Sequence, residues 1–441
     1  MNKLDIYGIG TGGVNLTKNP LQLADNELTQ AQNAEWDSDE SVSGAGAISK
    51  RGGFAALTSA LAGSVSGIHP FPHLTTYTRT LYVSRGTEDS NTFMTSSDGT
   101  TFTDTSTPRR VADNDKYLDE NSERDNRRMV SFRNLLFFAG NDYAQDTDNP
   151  EISVFDGTTG ALVTRINIGP SGNGSPPYAI TDMLVANGKV YIAVHDPGGS
   201  GANLAGRVLA YDPVTGKLIQ VLNAFGPGSA DVSGGYPSSM VWYQNQLWVG
   251  LNGSATTDGI GKVVRGYPDV GTTWTTETST LRSHISTMCV FNGDLYVGTQ
   301  SSVSAGATIA KRTASSGAWS TVATSSGGAG GSGHYAHMIV YSSAVYCVEY
   351  FSGGTDILHI LRSTDGTTWS TDRDVDANDS PTDPPQLPAG SVQYGDDLFF
   401  VFRATTIAGT NGFIMRRRGG SWSKVATDNF SGPLAVLVTR T

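Results

Sequence analysis

One pattern returns throughout this chain and constrains its fold more than any other feature. In "FNGDLYVGTQ" (291–300) a bulky residue, three turn-formers and an aliphatic residue lead into an alternating strand. The same anchor pair, four residues apart, recurs as Tyr77/Leu81, Phe132/Leu136, Ala186/Val190, Tyr243/Leu247, Phe291/Leu295, Tyr341/Val345 and Tyr394/Leu398. Successive anchors lie 55, 54, 57, 48, 50 and 53 residues apart. A unit of that size cannot bury a core alone, so it must stack on its own copies.

Each unit reads as a small antiparallel sheet. The intervals "YQNQL", "FNGDL" and "YGDDL" supply tight turns, and "LYVGTQ" and "LWVGLN" alternate as strands. A second turn follows in each unit: "TSSDGTTF" (95–102), "VFDGTTGAL" (154–162), "AYDPVTGKL" (210–218), "GYPDVGTTW" (266–274), "TASSGAW" (313–319), "RSTDGTTW" (362–369) and "RRGGSW" (417–422). Three residues before the anchor stands a methionine in five units: Met129, Met183, Met240, Met288 and Met338. A flexible thioether fills irregular gaps, so these methionines are expected between neighbouring sheets. Glycine at 53 residues and a charged fraction of 16% suit short strands and many turns. The expectation is an all-β, seven-bladed β-propeller over residues 57–430, with an extended N-terminal arm over 1–56.

The arm breaks the repeat. "NPLQLADNELTQAQNAEWD" offers Asp25 as an N-cap for a short helix using Leu28 and Ala31, extending at most to Ala34. "SVSGAGAISKRGGF" then leads into the first unit. At the other end, "PLAVLVTRT" within residues 431–441 reads as a strand beyond the complete units. It either closes the ring beside the first unit or pairs with another chain.

Residues Gly12, Gly13, Pro20, Asn33, Gly46, Ile48, Lys50, Arg51, Gly53 and Phe54 form an opening that resembles tailed-bacteriophage tail proteins, including tail tubular B (nozzle) proteins. The likeness covers about 45 residues, and Gly52-Gly53 stands where a proline often follows Lys-Arg. It implies a virion tail subunit, assembled in the host cytoplasm into a homo-oligomeric ring around a DNA channel. Partners implied are other tail subunits and DNA passing without specific binding; the alternative reading, a receptor- or glycan-binding propeller at a tail tip or fibre, would add a host surface receptor. Candidate assembly residues are Leu21, Leu23, Leu28, Trp36, Lys50, Arg51 and Phe54 in the arm, with Leu434, Val436 and Leu437 in the last strand. The opening "MNKLDIYGIG" has no apolar stretch of signal-peptide type, and no run reaches membrane-span length. A formal charge of −11 disfavours a chain-wide basic face for gripping nucleic acid, and acidic walls would keep phosphates from sticking.

The residue patterns carry no positive case for catalysis, a cofactor or a metal. "SSDGTTF", "STDGTTW" and "PDVGTTW" resemble the Asp-box turns of sialidase-like propellers, which are structural hairpins in that family. An arginine triad with a tyrosine nucleophile is not evident. His334 and His337 are three apart, which on a strand points them to opposite faces. Asp372, Asp374, Asp376 and Asp383 match positions 1, 3, 5 and 12 of a calcium loop, but Ala377 replaces its glycine. Cys289 and Cys347 sit in apolar runs and read as buried thiols. Trp242, Trp248, Tyr267 and Trp274 are the aromatics that would stack on sugars if a rim bound glycans.

Overall fold

A computed structural model describes residues 34–37, 47–50, 77–85, 92–108, 128–140, 151–157, 159–169, 179–196, 205–224, 235–252, 261–268, 273–281, 284–301, 306–325, 332–352, 357–375, 387–403, 412–428 and 430–440. Every regular element among them is a strand. β1 (Ala34–Asp37) and β2 (Ala47–Lys50) form a two-stranded hairpin. The sheets that follow are antiparallel and meander outward.

The first uses β3 (Tyr77–Arg85), β4 (Thr92–Ser96) and β5 (Thr103–Pro108). Next come β6 (Arg128–Phe132), β7 (Leu135–Gly140), β8 (Glu151–Asp156) and β9 (Leu162–Asn167). β10 (Ala179–Ala186), β11 (Lys189–Asp196), β12 (Ala205–Asp212) and β13 (Lys217–Asn223) make the third. The fourth holds β14 (Tyr236–Tyr243), β15 (Gln246–Asn252), β16 (Gly261–Gly266) and β17 (Trp274–Leu281). An eight-stranded sheet contains β18 (His284–Phe291), β19 (Asp294–Ser301), β20 (Thr308–Arg312), β21 (Trp319–Thr324), β22 (Ser332–Tyr341), β23 (Ala344–Ser352), β24 (Ile357–Ser363) and β25 (Ser370–Asp374). Only Gln300↔His334 and Ser301↔Gly333 join its two halves, each itself a four-stranded meander. β26 (Leu387–Tyr394), β27 (Asp397–Arg403), β28 (Gly412–Arg418) and β29 (Ser421–Asp428) make the last complete sheet. β30 (Phe430–Arg440) returns to the beginning and pairs with β3.

The arrangement is propeller-like. The innermost strands touch in succession from β6 through β10, β14, β18, β22 and β26 to β30, and β30 touches β6. Apolar clusters fill the gaps between sheets, not within them. Phe137, Ile152 and Val154 of one sheet pack with Met183, Ile192 and Val194 of the next. Tyr191 and Val208 likewise meet Met240 and Val249. The methionine register therefore lies at the seams: Met129, Met183, Met240, Met288 and Met338 are all buried, within clusters that span adjacent sheets or, for Met338, the two halves of the eight-stranded one.

Local chemistry explains the hairpins. Both turn residues have positive φ at Arg133-Asn134, Asn187-Gly188, Gln244-Asn245, Asn292-Gly293 and Ser342-Ser343. That geometry matches the twist of the flanking strands, and Asn and Gly tolerate it best. The first anchor pair behaves differently. Tyr77 and Leu81 lie on the single strand β3, with Thr78, Arg79 and Thr80 extended between them. The first unit therefore contributes three strands, and β30 supplies its innermost one, so the C-terminal strand is not surplus. The helix expected around Leu28 and Ala31 falls outside the described residues, and Ala34 opens β1.

Candidate functional site

The assembly residues named from sequence divide between the two ends of the chain. Leu21, Leu23, Leu28, Arg51 and Phe54 lie outside the described residues. Trp36 stands opposite Ile48, and Lys50 opposite Ala34, in the β1–β2 hairpin. Leu434, Val436 and Leu437 stand opposite Val83, Leu81 and Thr80 in the ladder between β30 and β3. Of the two partners the sequence allows for the last strand, the structure pairs it within its own chain.

Polar groups concentrate at the ends of the strands away from the two-residue turns. Thr181 Oγ1 donates to the carbonyl of Pro237 at 2.6 Å, and Ser238 Oγ donates to that of Ile285 at 2.6 Å. Ser286 Oγ donates to the carbonyl of Tyr335 in the other half of the eight-stranded sheet. Main-chain amides return the contact: Met240 N donates to Asp182 Oδ2 at 2.7 Å, and Met338 N to Thr287 Oγ1 at 2.9 Å. Each joins one four-stranded meander to the next. Each also sits at a β-bulge of the first strand, between Ile180 and Asp182, Pro237 and Ser239, Ile285 and Thr287, or Ala336 and Ile339. A bulge breaks ladder pairing and re-aims side chains, which frees these groups for the seam.

Two clusters there contain ionisable groups the sequence reading missed. Arg207 Nε lies 3.3 Å from Asp196 Oδ2, with the carboxylate wholly buried. Arg207 Nη2 also donates to the carbonyl of Gly169 at 2.8 Å, crossing to the preceding sheet. Burial pushes the Asp196 carboxyl up to about 7, and the Arg207 charge opposes that shift. His195 faces the other way and stacks on Tyr236 with ring centroids 4.0 Å apart. In the second cluster Tyr335 Oη donates to Glu349 Oε1 at 3.3 Å, and His359 Nδ1 lies 3.4 Å from Glu349 Oε2. Burial first, then the Glu349 charge, raises the Tyr335 hydroxyl well above the ordinary phenol range. A signal was present in the sequence: Asp196 ends "VYIAVHD", and Glu349 interrupts "AVYCVEYF". A charge in a fully buried strand needs a partner.

The acidic and phenolic groups of both clusters are buried. Tyr335 is 1% exposed and Glu349 5%. What the groups do is hold strands and sheets together.

The other candidates resolve in the same direction. Asp98 Oδ1 accepts from the amides of Thr100 and Thr101 at 2.7 Å each, and Asp365 Oδ1 does so from Thr367 and Thr368. Those backbone donors hold both carboxyls well below the usual range. Asp372 Oδ2 is taken by Arg417 Nε at 3.0 Å and Trp422 Nε1 at 2.6 Å, and Asp376 and Asp383 lie outside the described residues. No cluster of three or more possible metal ligands occurs among the described residues. His334 stands opposite Tyr350, while His337 Nε2 lies 3.1 Å from the carbonyl of Pro388 in the next sheet. Cys289 and Cys347 are free and buried, and desolvation pushes both thiols up.

Among the aromatics, Trp248 is fully buried, beneath the guanidinium groups of Arg265 and Arg312 at 5.5 and 4.9 Å. Glu277 pairs with both arginines. Trp242 stacks on Tyr191, and Trp274 Nε1 donates to the carbonyl of Val221 in the preceding sheet. Tyr267 is half exposed.

No known protein family matches this chain, and no curated protein matches it. Solved structures share its shape. It is similar to a protein proposed as a 6-phosphogluconolactonase from Bacteroides uniformis, at 12% identity and a TM-score of 0.51, covering 81% of this chain and 98% of that one. A hypothetical selenium-binding protein from Sulfolobus tokodaii matches at 9% identity and a TM-score of 0.49, covering 82% and 90% of the two chains. At such identities the likeness speaks to fold alone. No helix among the described residues is long and apolar enough to cross a membrane.

Proposed function

We propose that this chain is a structural subunit of a tailed-phage virion, of the tail-nozzle or tail-hub type. In this reading the ring is a seven-bladed propeller, with the eight-stranded sheet counted as two blades. The observation that carries the proposal is the pairing of β30 with β3, which closes the disc with a strand from the same chain. A disc closed in this way has no strand to lend, so contact with other subunits falls to the N-terminal arm. That arm holds the tail-protein-like residues from Gly12 to Phe54.

The disc acts as a rigid spacer and the arm as its connector, within a homo-oligomeric ring. A formal charge of −11 suits a part that DNA passes without adhering. The subunit works without catalysis: the Tyr335–Glu349–His359 group is the nearest approach to an acid–base set, and its acid and phenol are sealed from solvent. Glycan binding at the rim has less support, because Trp242, Trp248 and Trp274 are committed to packing.

Deleting residues 1–56 tests the assignment. The truncated protein is expected to fold and stay out of particles when supplied to an infection lacking the full-length chain. Truncated protein found in finished tails at normal copy number would refute the arm's role.

A further inference from the structure

Two seams of the ring repeat one charged arrangement and can be compared part by part. Between β14–β17 and β18–β21, Arg265 stands opposite Trp248 and Arg312 opposite Leu295, with both guanidiniums over the Trp248 ring. Glu277, at the bulge of β17, pairs with the two of them. Gln246 Oε1 also accepts from Arg265 Nη1 at 2.6 Å. Arg265 therefore has a carboxylate oxygen and an amide oxygen to donate to.

Between β22–β25 and β26–β29 the same rungs hold Arg362 opposite Tyr346 and Arg417 opposite Leu398. The Arg417 guanidinium lies 5.3 Å from the centre of the Tyr346 ring. Burial raises the Tyr346 hydroxyl, and the Arg417 and Arg362 charges oppose that rise, so both cations stand beside one phenol. The acceptors differ. Asp372 takes the bulge position of Glu277, and Ala344 takes the position of Gln246. Asp372 is one methylene shorter than a glutamate, and its Oδ2 is used by Arg417 Nε at 3.0 Å and Trp422 Nε1 at 2.6 Å. Arg362 Nε is buried and has no hydrogen-bond partner among the described residues.

A guanidinium stays protonated, and a buried donor without an acceptor carries its full desolvation cost. Arg362 as a whole is only half-buried, so the seam is open to solvent at this residue. What Arg362 lacks, relative to Arg265, is two oxygens on one side of a planar fork. A carboxylate presents two oxygens in that geometry, and a carboxylate fills the corresponding place in the first seam. We propose that the seam between β22–β25 and β26–β29 is a binding site for a small carboxylate from solvent, gripped by Arg362 with Arg417 as the second charge. The site stands whether or not the chain is a tail subunit.

Acetate is the probe, and the full chain is used. Phenylglyoxal modifies accessible arginines, and mass spectrometry reads each one separately. Modification of Arg362 is expected to slow about tenfold in acetate at ten times its dissociation constant, compared with chloride at equal ionic strength. Arg165, on the rim and 36% exposed, is the reference and should not respond. The variant Asp372→Glu restores the first seam's bridging acid, so Arg362 should react slowly in chloride and gain no further protection from acetate. Equal protection of Arg165 and Arg362 would overturn the proposal. So would an Arg362 that is unreactive in chloride in the parent protein, or undiminished acetate protection in Asp372→Glu. Protection by inorganic phosphate but not by acetate would assign the seam to a tetrahedral anion and overturn the carboxylate. The measurement on the parent protein decides the matter even if the variant fails to fold.

Discussion

The hydroxyl of Tyr243 donates to the carbonyl of Gly293, 2.8 Å away in the first turn of the next sheet. Tyr341 makes the same reach to the carbonyl of Asp396, and Tyr394 to those of Arg79 and Ser97 at 2.9 and 2.7 Å. The repeated aromatic is therefore more than an anchor for its own hairpin. At these three seams it ties one sheet to the next. Phe291 occupies the equivalent place without a hydroxyl, so the ring packs there and the hydrogen bond is an addition.

Replacing Tyr243, Tyr341 or Tyr394 with Phe should accordingly cost about 1 kcal/mol each, the ordinary worth of one hydrogen bond. Urea denaturation measures this. The three costs should add, because the sites lie at different seams.

Asn252 is expected to matter more. Its Oδ1 accepts from Ile285 N at 2.6 Å in a buried seam, with Ser238 Oγ 3.1 Å away. Asn252→Leu strands an amide hydrogen without a partner, and should cost about 2 kcal/mol or more. Asn252→Asp keeps the acceptor and should recover part of that loss at pH 8.

Two glycines separate conformational strain from crowding. Gly188 has φ +72° with open space around a would-be Cβ, while Gly366 has φ +73° and would place Cβ 1.9 Å from Tyr296 Oη. Gly188→Ala should cost about 1 kcal/mol from the left-handed backbone alone. Gly366→Ala should cost several times as much, or prevent folding, because it pushes the turn off the other half of the eight-stranded sheet. Melting temperatures of the pair decide the matter.

Asp196 sets a pH dependence with a definite sign. Its folded value of about 7 lies above the ordinary 3.8 of an aspartate, so the folded state holds the proton more tightly than the unfolded state does. The stabilisation from this group is complete below about pH 4 and is lost as pH rises through about 7. Its ceiling is on the order of 4 kcal/mol. Asp196→Asn should flatten that part of the stability–pH curve, and an unchanged slope between pH 4 and 7 would count against the burial argument.

The strands and their turns were legible in the residues because those choices are local. The Asn-Gly pairs at 292–293 and 187–188, set between alternating strands, favour a positive-φ hairpin by local chemistry, and the fifty-residue spacing of anchors needs no tertiary information. The five methionines could be assigned to seams on their register alone. Distant relationships were not written in that way. Tyr77 and Leu81 imitate an anchor pair, yet lie on one strand because β30, more than 350 residues later, supplies the neighbour. Asp196 ends an apolar run and so calls for a partner, but that the partner is Arg207 is decided only when β11 and β12 bring the two into one buried seam. Local sequence chooses turn and strand. Which strand completes the circle, and which charges end up inside it, depends on closing a long loop, and that closure is decided by the packing of the whole ring.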